Sequence, residues 1–191
     1  MTKIIRHGNL VYTPIPKNGW TSFTRFFERT LGWDGQGQYR EIDWSNDIVF
    51  AHITDPNQRF IKGTVEFLRQ NNLTHILERE EFYPLLTKAF FDNHSYPLAF
   101  LFKDRFNDIN WLPLDHPKIS GSEVTARFLR SHNIIVSAEH VLHLHQSDID
   151  SKNLQTRLTK IRDQIGCNMG WLLGHDYDLY IKVINQFSQN L

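Results

Sequence analysis

Residues 48–53 read Ile-Val-Phe-Ala-His-Ile, and this nearly continuous apolar run constrains the fold more than any other stretch. A strand with one wet face alternates apolar and polar side chains. A run of this kind needs cover on both faces, as the inner strands of parallel sheets have. It stops at Thr54-Asp55-Pro56, where Asp55 can cap a helix and Pro56 suits the first helical position. Phe60, Ile61, Val65 and Leu68 then recur at helical spacing, with Gly63 a weak point between them. An earlier stretch has the same form. Residues 9–15 carry Leu10, Val11, Tyr12 and Ile15, read as a short strand, and stop at Pro14 and Pro16. From Thr21, the side chains Phe23, Phe26, Phe27 and Leu31 fall at helical spacing, and Gly32 lies where that helix would end.

Further along, residues 99–103 (Ala-Phe-Leu-Phe-Lys) are expected to form a third strand, residues 122–131 a helix and residues 134–137 a short strand. Leu154, Leu158, Ile161 and Ile165 mark an amphipathic helix, and Tyr177, Tyr180, Ile181 and Ile184 a last one. Strands separated by helices predict an α/β fold with a central, mostly parallel sheet flanked by helices. No repeat, low-complexity tract or linker divides the chain, so residues 1–191 are read as a single domain. That length buries roughly 70% of the unfolded surface. Residues 34–47 are loop-like, with Gly35, Gly37, Asn46 and several acids, and are a candidate region for substrate contacts.

Hydrophobic residues make up 40% and charged residues 22%, the balance of a globular chain rather than a disordered one. Lys+Arg and Asp+Glu both total 21, so there is no overall basic field for gripping nucleic acid, and any anion site must be local. With no basic stripe beside them, Phe23, Phe26 and Phe27 read as core rather than as a platform for bases. The single cysteine, Cys167, allows no intrachain disulfide and fits a reducing compartment. A polar start and the absence of any run near ~18 apolar residues predict a soluble, cytoplasmic chain with no membrane partner. His140, His143 and His145, with His132 or Asp148, invite a zinc reading, but the spacing is poor and no cysteine is near, so no metal is predicted.

Pro16-Lys17-Asn18-Gly19-Trp20-Thr21-Ser22 sits where the first strand gives way to the first helix, a position at which unpaired amides and the helix dipole favour an anion. Gly19 lets the backbone curl close, Thr21 and Ser22 offer hydroxyls, and Lys17 adds a mobile positive charge. The plainer reading is a capped helix after a turn. The pattern G-x-x-x-x-G-K-[ST] occurs nowhere, which argues against a Walker-type ATPase or GTPase.

This heptapeptide resembles the loop of the sulfotransferase family in which Pro-Lys-x-Gly-x-Thr-Ser binds the 5′-phosphosulfate of 3′-phosphoadenosine 5′-phosphosulfate (PAPS). Residues 53–63, Ile-Thr-Asp-Pro-Asn-Gln-Arg-Phe-Ile-Lys-Gly, resemble the same family's 3′-phosphate segment, Val-Arg-Asp-Pro-x-x-Arg-Phe-x-Ser-Gly/Ala. Residues 92–97, Asp-Asn-His-Ser-Tyr-Pro, are similar to the Asp-x-His-x-x-Pro element of the carbohydrate sulfotransferase branch, and residues 176–180, Asp-Tyr-Asp-Leu-Tyr, to its Asp-Tyr-x-Leu-Tyr. The four stretches come in the family's order and span most of the chain. The resemblance implies a three-layer, P-loop-like α/β domain that moves a sulfuryl group from PAPS to a hydroxyl acceptor, expected on a glycan.

By that resemblance Lys17 assists the leaving oxygen, the amides from Asn18 to Ser22 and the Thr21 and Ser22 hydroxyls hold the 5′ end, and Trp20 walls the acceptor pocket. The 3′-phosphate falls to Thr54, Arg59 and Lys62. Two departures stand here: Thr54 replaces the family's arginine, and Lys62 its serine. Either Lys62 and Arg59 restore the lost charge from neighbouring turns, or both belong to a solvated helix face. A hydroxyl acceptor needs a general base near neutral pH, which makes His94 and His52 candidates, the former inside the Asp-x-His-x-x-Pro element and the latter at the carboxyl end of a predicted strand. Two other function classes remain open at this point, a non-catalytic binding module on the same fold and a small-molecule kinase with a divergent phosphate loop. For the kinase no clear Mg²⁺ carboxylate motif is seen.

Overall fold

The computed structural model describes residues 3–88, 95–141, 149–165 and 170–189. The strands are β1 (Ile5–His7), β2 (Leu10–Tyr12), β3 (Ile48–Ile53) and β4 (Asn110–Pro113). The helices are α1 (Trp20–Arg25), α2 (Pro56–Gln70), α3 (Tyr83–Lys88), α4 (Leu98–Phe102), α5 (Gly121–Ser131), α6 (Ile149–Ile165) and α7 (Gly170–Gln189). The strands form an open four-stranded sheet in the order β1-β2-β3-β4. β1 and β2 are an antiparallel hairpin turned at Gly8, and the β2/β3 and β3/β4 pairs are parallel, with Tyr12 opposite Phe50 and Ile53 opposite Pro113.

Helices pack on both faces of this sheet, as the apolar run of β3 requires. Tyr12, Phe50 and Leu112 point to one face, where they meet Phe23 and Phe27 from α1 and the turn after it, and Val124 and Leu129 of α5. Val11, Val49, Ala51 and Trp111 point to the other, against Leu98 and Phe102 of α4 and Leu179 and Val183 of α7. The alternation follows from the two-residue period of a strand. Burial of each such large side chain contributes about 1.5–3 kcal/mol. Beyond the sheet, Phe60, Ile61, Val65 and Leu68 of α2 pack with Leu158 and Ile161 of α6 and Leu173 of α7.

Local chemistry sets the ends of these elements. Asp55 accepts a hydrogen bond from the Gln58 amide (2.8 Å) and Pro56 opens α2, as the sequence leads one to expect. Ser120 caps α5 through the Glu123 amide (3.1 Å). The helix expected from Thr21 to Leu31 begins as α1, widens into a π turn over Phe26–Thr30, and ends at Gly32 with φ 68°. The widened turn lets Phe26, Phe27 and Trp33 all reach the core.

Two expectations are corrected. Residues 99–103 are not a strand: Leu98 and Phe102, four apart, are both buried while Phe100 is 64% exposed, the signature of a helix turn, and the chain forms α4. A short apolar run cannot tell a buried strand from a helix segment. The third parallel strand is β4 instead, an edge strand that tolerates Pro113 at its end. Residues 134–137 pair with no strand: Ile135 is 93% exposed, and Arg130 donates to the Val136 carbonyl (3.1 Å). Residues 34–47 are loop-like, with a single 3-10 turn at Tyr39–Glu41, and lie along the outer edge of β1 through bridges of Lys3 with Gln38 and Arg6 with Asp34 and a two-pronged contact from Arg6 to Asp47 (2.6 and 2.7 Å). That arrangement covers an edge that would otherwise present unpaired backbone groups.

Among the described residues no helix is long and apolar enough to cross a membrane. If Asp55 holds the start of α2 as described, Asp55→Ala lowers unfolding free energy by about 0.5–2 kcal/mol in urea titration.

Candidate functional site

Parallel pairing brings the carboxyl ends of β2, β3 and β4 to one edge of the sheet, and the segments that follow them meet there. After β2 the chain turns through Asn18, whose amide donates to the Ile15 carbonyl (3.1 Å), with Lys17 (φ 66°) and Gly19 (φ 74°) both left-handed. At Gly19 a side chain is excluded twice over, by that φ and because a Cβ would stand 2.8 Å from the Phe23 ring. The buried Asn18 carboxamide donates to the His52 carbonyl (2.8 Å), which ties this loop to β3.

α1 starts with no side-chain cap, and the Phe23 amide is the first to reach back into the helix, to the Gly19 carbonyl (3.0 Å). The amides of Trp20 and Thr21 therefore precede the helical ladder. Thr21 is exposed, Ser22 half-buried, and Trp20 stands 37% exposed beside them. Lys17 pairs with Glu66 of α2 (3.2 Å). Both side chains are partly exposed, and an ion pair of this kind is worth only about 0–1 kcal/mol, so the ammonium can turn to an anion at small cost.

Across the edge, the Thr54 hydroxyl (2.8 Å) and the Asp55 amide (2.9 Å) both donate to Oδ2 of Asp115, just beyond β4, and the Tyr180 hydroxyl donates to Oδ1 (3.1 Å). Burial, with Asp115 alongside, pushes the Tyr180 phenol well above its ordinary pKa, so it remains a donor. Sequence reasoning missed Asp115. Its signal was a position after a parallel strand, lost because β4 itself was not foreseen.

Arg59 is 2% exposed and donates to the Tyr96 carbonyl, so it is no part of a solvated face. Lys62 is half-buried on α2. Asp176, also buried, accepts from the amides of Leu98 (2.6 Å) and Ala99 (3.0 Å) and so caps α4, while burial pushes its carboxyl pKa up.

His52 is a correction. It is fully buried, stacks on Phe23 with ring centroids 3.6 Å apart, and contacts the Tyr12 hydroxyl through Nδ1 (3.3 Å) and the Thr125 hydroxyl through Nε2 (2.9 Å). Thr125 donates to the Gly121 carbonyl (2.7 Å), so Nε2 of His52 must carry the proton and Nδ1 must accept from Tyr12. With its lone pair taken and no surface, His52 cannot serve an acceptor as a base. Burial lowers its pKa to about 3. His94, the other candidate base, lies outside the described residues, as do His143 and His145. Among the described residues no group of three His, Cys, Asp or Glu could hold a metal.

The loop has what a phosphate or sulfate at the 5′ end of a nucleotide needs: leading amides, a close-approach glycine and a lysine. Beside Thr54 the fit to a 3′-phosphate is poor, because a carboxylate already holds the hydroxyl and the amide. Comparison with family models, curated proteins and solved structures returns no match.

A neutral buried His52 gives a signed prediction. Unfolding lets it take up a proton near pH 6.5, whereas the folded chain resists until about pH 3. Stability attributable to it therefore falls as pH drops below 6.5, by up to about 1.4 kcal/mol per unit. His52→Gln keeps one donor and one acceptor without titrating. Urea unfolding between pH 7 and pH 5 should show the wild type losing that much more per unit than the variant.

Proposed function

We propose that this chain is a sulfotransferase that moves a sulfuryl group from PAPS to a hydroxyl acceptor of the carbohydrate class, on a three-layer, P-loop-like domain. The observation that carries the reading is the junction at one sheet edge of the 16–22 loop with the 53–63 segment, the two stretches that resemble the family's nucleotide site. The donor and the acceptor class come from the resemblance alone.

PAPS when bound supplies an activated sulfuryl group. The chain's own contribution begins with the amides at the start of α1, which would donate to the anionic end without rearrangement because they precede the helical ladder. Lys17 would leave Glu66 and neutralise charge on the departing phosphate. Asn18 would keep the loop in register with β3 through the His52 carbonyl. Trp20, large and partly exposed beside the loop, would exclude water and flank the acceptor.

A second reading, a non-catalytic module on the same fold, is favoured by one observation: the Thr54 hydroxyl donates to a carboxylate where the resemblance would have a phosphate. Transfer of labelled sulfate to a glycan panel separates the two. The sulfotransferase reading expects turnover that Lys17→Ala lowers by about 10²–10³ in kcat/KM. A folded protein that sulfates no member, with PAPS or with its 3′-dephosphorylated form as donor, overturns it in favour of the module.

A further inference from the structure

We infer that Asp115 determines what the site accepts at the ribose end of a nucleotide, selecting a free hydroxyl against a phosphate. The inference rests on the sulfotransferase reading of the 16–22 loop and revises that reading's donor at one position.

Three donors converge on this carboxylate, two of them from the turn between β3 and α2. Thr54 follows β3, the Asp55 amide lies just before α2, and Tyr180 comes from α7. Together they fix the group at the carboxyl edge of the sheet, where open α/β folds take their ligands. A phosphate arriving beside Thr54 finds the hydroxyl and the amide it would need already engaged. It also meets two carboxylates, Asp115 and Asp55, while the arginines around the first turns of α2 are already engaged, Arg59 with the Tyr96 carbonyl and Arg162 with the Asn57 side chain. Repulsion between like charges at contact distance is large enough to decide binding.

A ribose hydroxyl meets the opposite situation. A carboxylate has about four acceptor positions, and the three described donors leave one toward solvent on the exposed Asp115. Dinucleotide sites use the same chemistry: an acidic side chain binds a ribose hydroxyl, and an arginine nearby accommodates a phosphate at that position. Here the position of the family's arginine holds Thr54, and Thr54 is bound to an acid. The nucleotide class that fits is an adenosine 5′-phosphate or 5′-phosphosulfate with an unmodified ribose.

Calorimetric titration of the full chain with adenosine 5′-phosphate and with adenosine 3′,5′-bisphosphate tests this, on wild type, Asp115→Asn and Lys17→Ala. The wild type is expected to bind the monophosphate at least as tightly as the bisphosphate. Asp115→Asn keeps acceptor oxygen and removes the charge, and is expected to shift the affinity ratio at least about tenfold toward the bisphosphate, through tighter bisphosphate binding. Tighter bisphosphate binding by the wild type, or an unchanged ratio in Asp115→Asn, overturns the inference. Either result leaves the loop reading standing, provided that Lys17→Ala weakens both ligands. A folded wild type that binds neither nucleotide overturns both. Should Asp115→Asn fail to fold, the wild-type ratio decides alone.

Discussion

A buried hydrogen-bond chain runs through the centre of this domain, from the Tyr12 hydroxyl to His52, from His52 to the Thr125 hydroxyl, and from there to the Gly121 carbonyl. It joins β2, β3 and α5, the elements that carry and back the candidate loop. Every group in it is fully or almost fully withdrawn from water, and each proton has one acceptor, so the chain is satisfied in a single sense only. Breaking one link would leave an unpaired polar atom in a low-dielectric interior, a penalty of about 1–3 kcal/mol. The Phe23 ring lies against the imidazole, and the same ring excludes a side chain at Gly19. Core packing and loop shape are thus linked: the ring that packs on His52 also leaves no room for a side chain at position 19.

That constraint divides the sheet edge electrostatically. On the β2 side the loop presents Lys17 and amides, a local positive region on a chain whose formal charges cancel. On the β4 side Asp115 collects donors from the β3–α2 turn and from α7. The two halves are held apart by β3: Thr54, just past its end, faces the acid, while the carbonyl of His52 within it faces Asn18. That division suits a ligand that is anionic at one end and a hydrogen-bond donor at the other.

Much of this was legible in the sequence where local chemistry decides structure. The β3 run, its Asp-Pro helix start and the strand-loop-helix junction at Pro16–Ser22 follow from burial, capping and fixed proline φ, which act over a few residues. What was not legible depends on partners distant in sequence. Leu98–Phe102 form a helix whose leading amides are accepted by Asp176, far along the chain, and nothing in a short apolar run announces that cap. Asp115 became visible only when β4 took its place at the sheet edge. His52 looked available at a strand end, yet α1 and α5 close over it.

The motif residues themselves carry two kinds of work, and the structure separates them. Arg59 holds the Tyr96 carbonyl and Asp176 the Leu98 and Ala99 amides, so residues from the second and fourth of the resembling stretches grip the chain on either side of Pro97, in the third. Neither side chain has surface to offer a ligand. Matching residues at three motifs can therefore report a shared way of bracing one segment between α2 and α7, without reporting a shared ligand. The loop at 16–22 differs in kind, because an uncapped helix start and an exposed Thr21 are not needed for packing. The case for chemistry rests on that loop, and the selectivity of the chemistry rests on the carboxylate across the sheet edge from it.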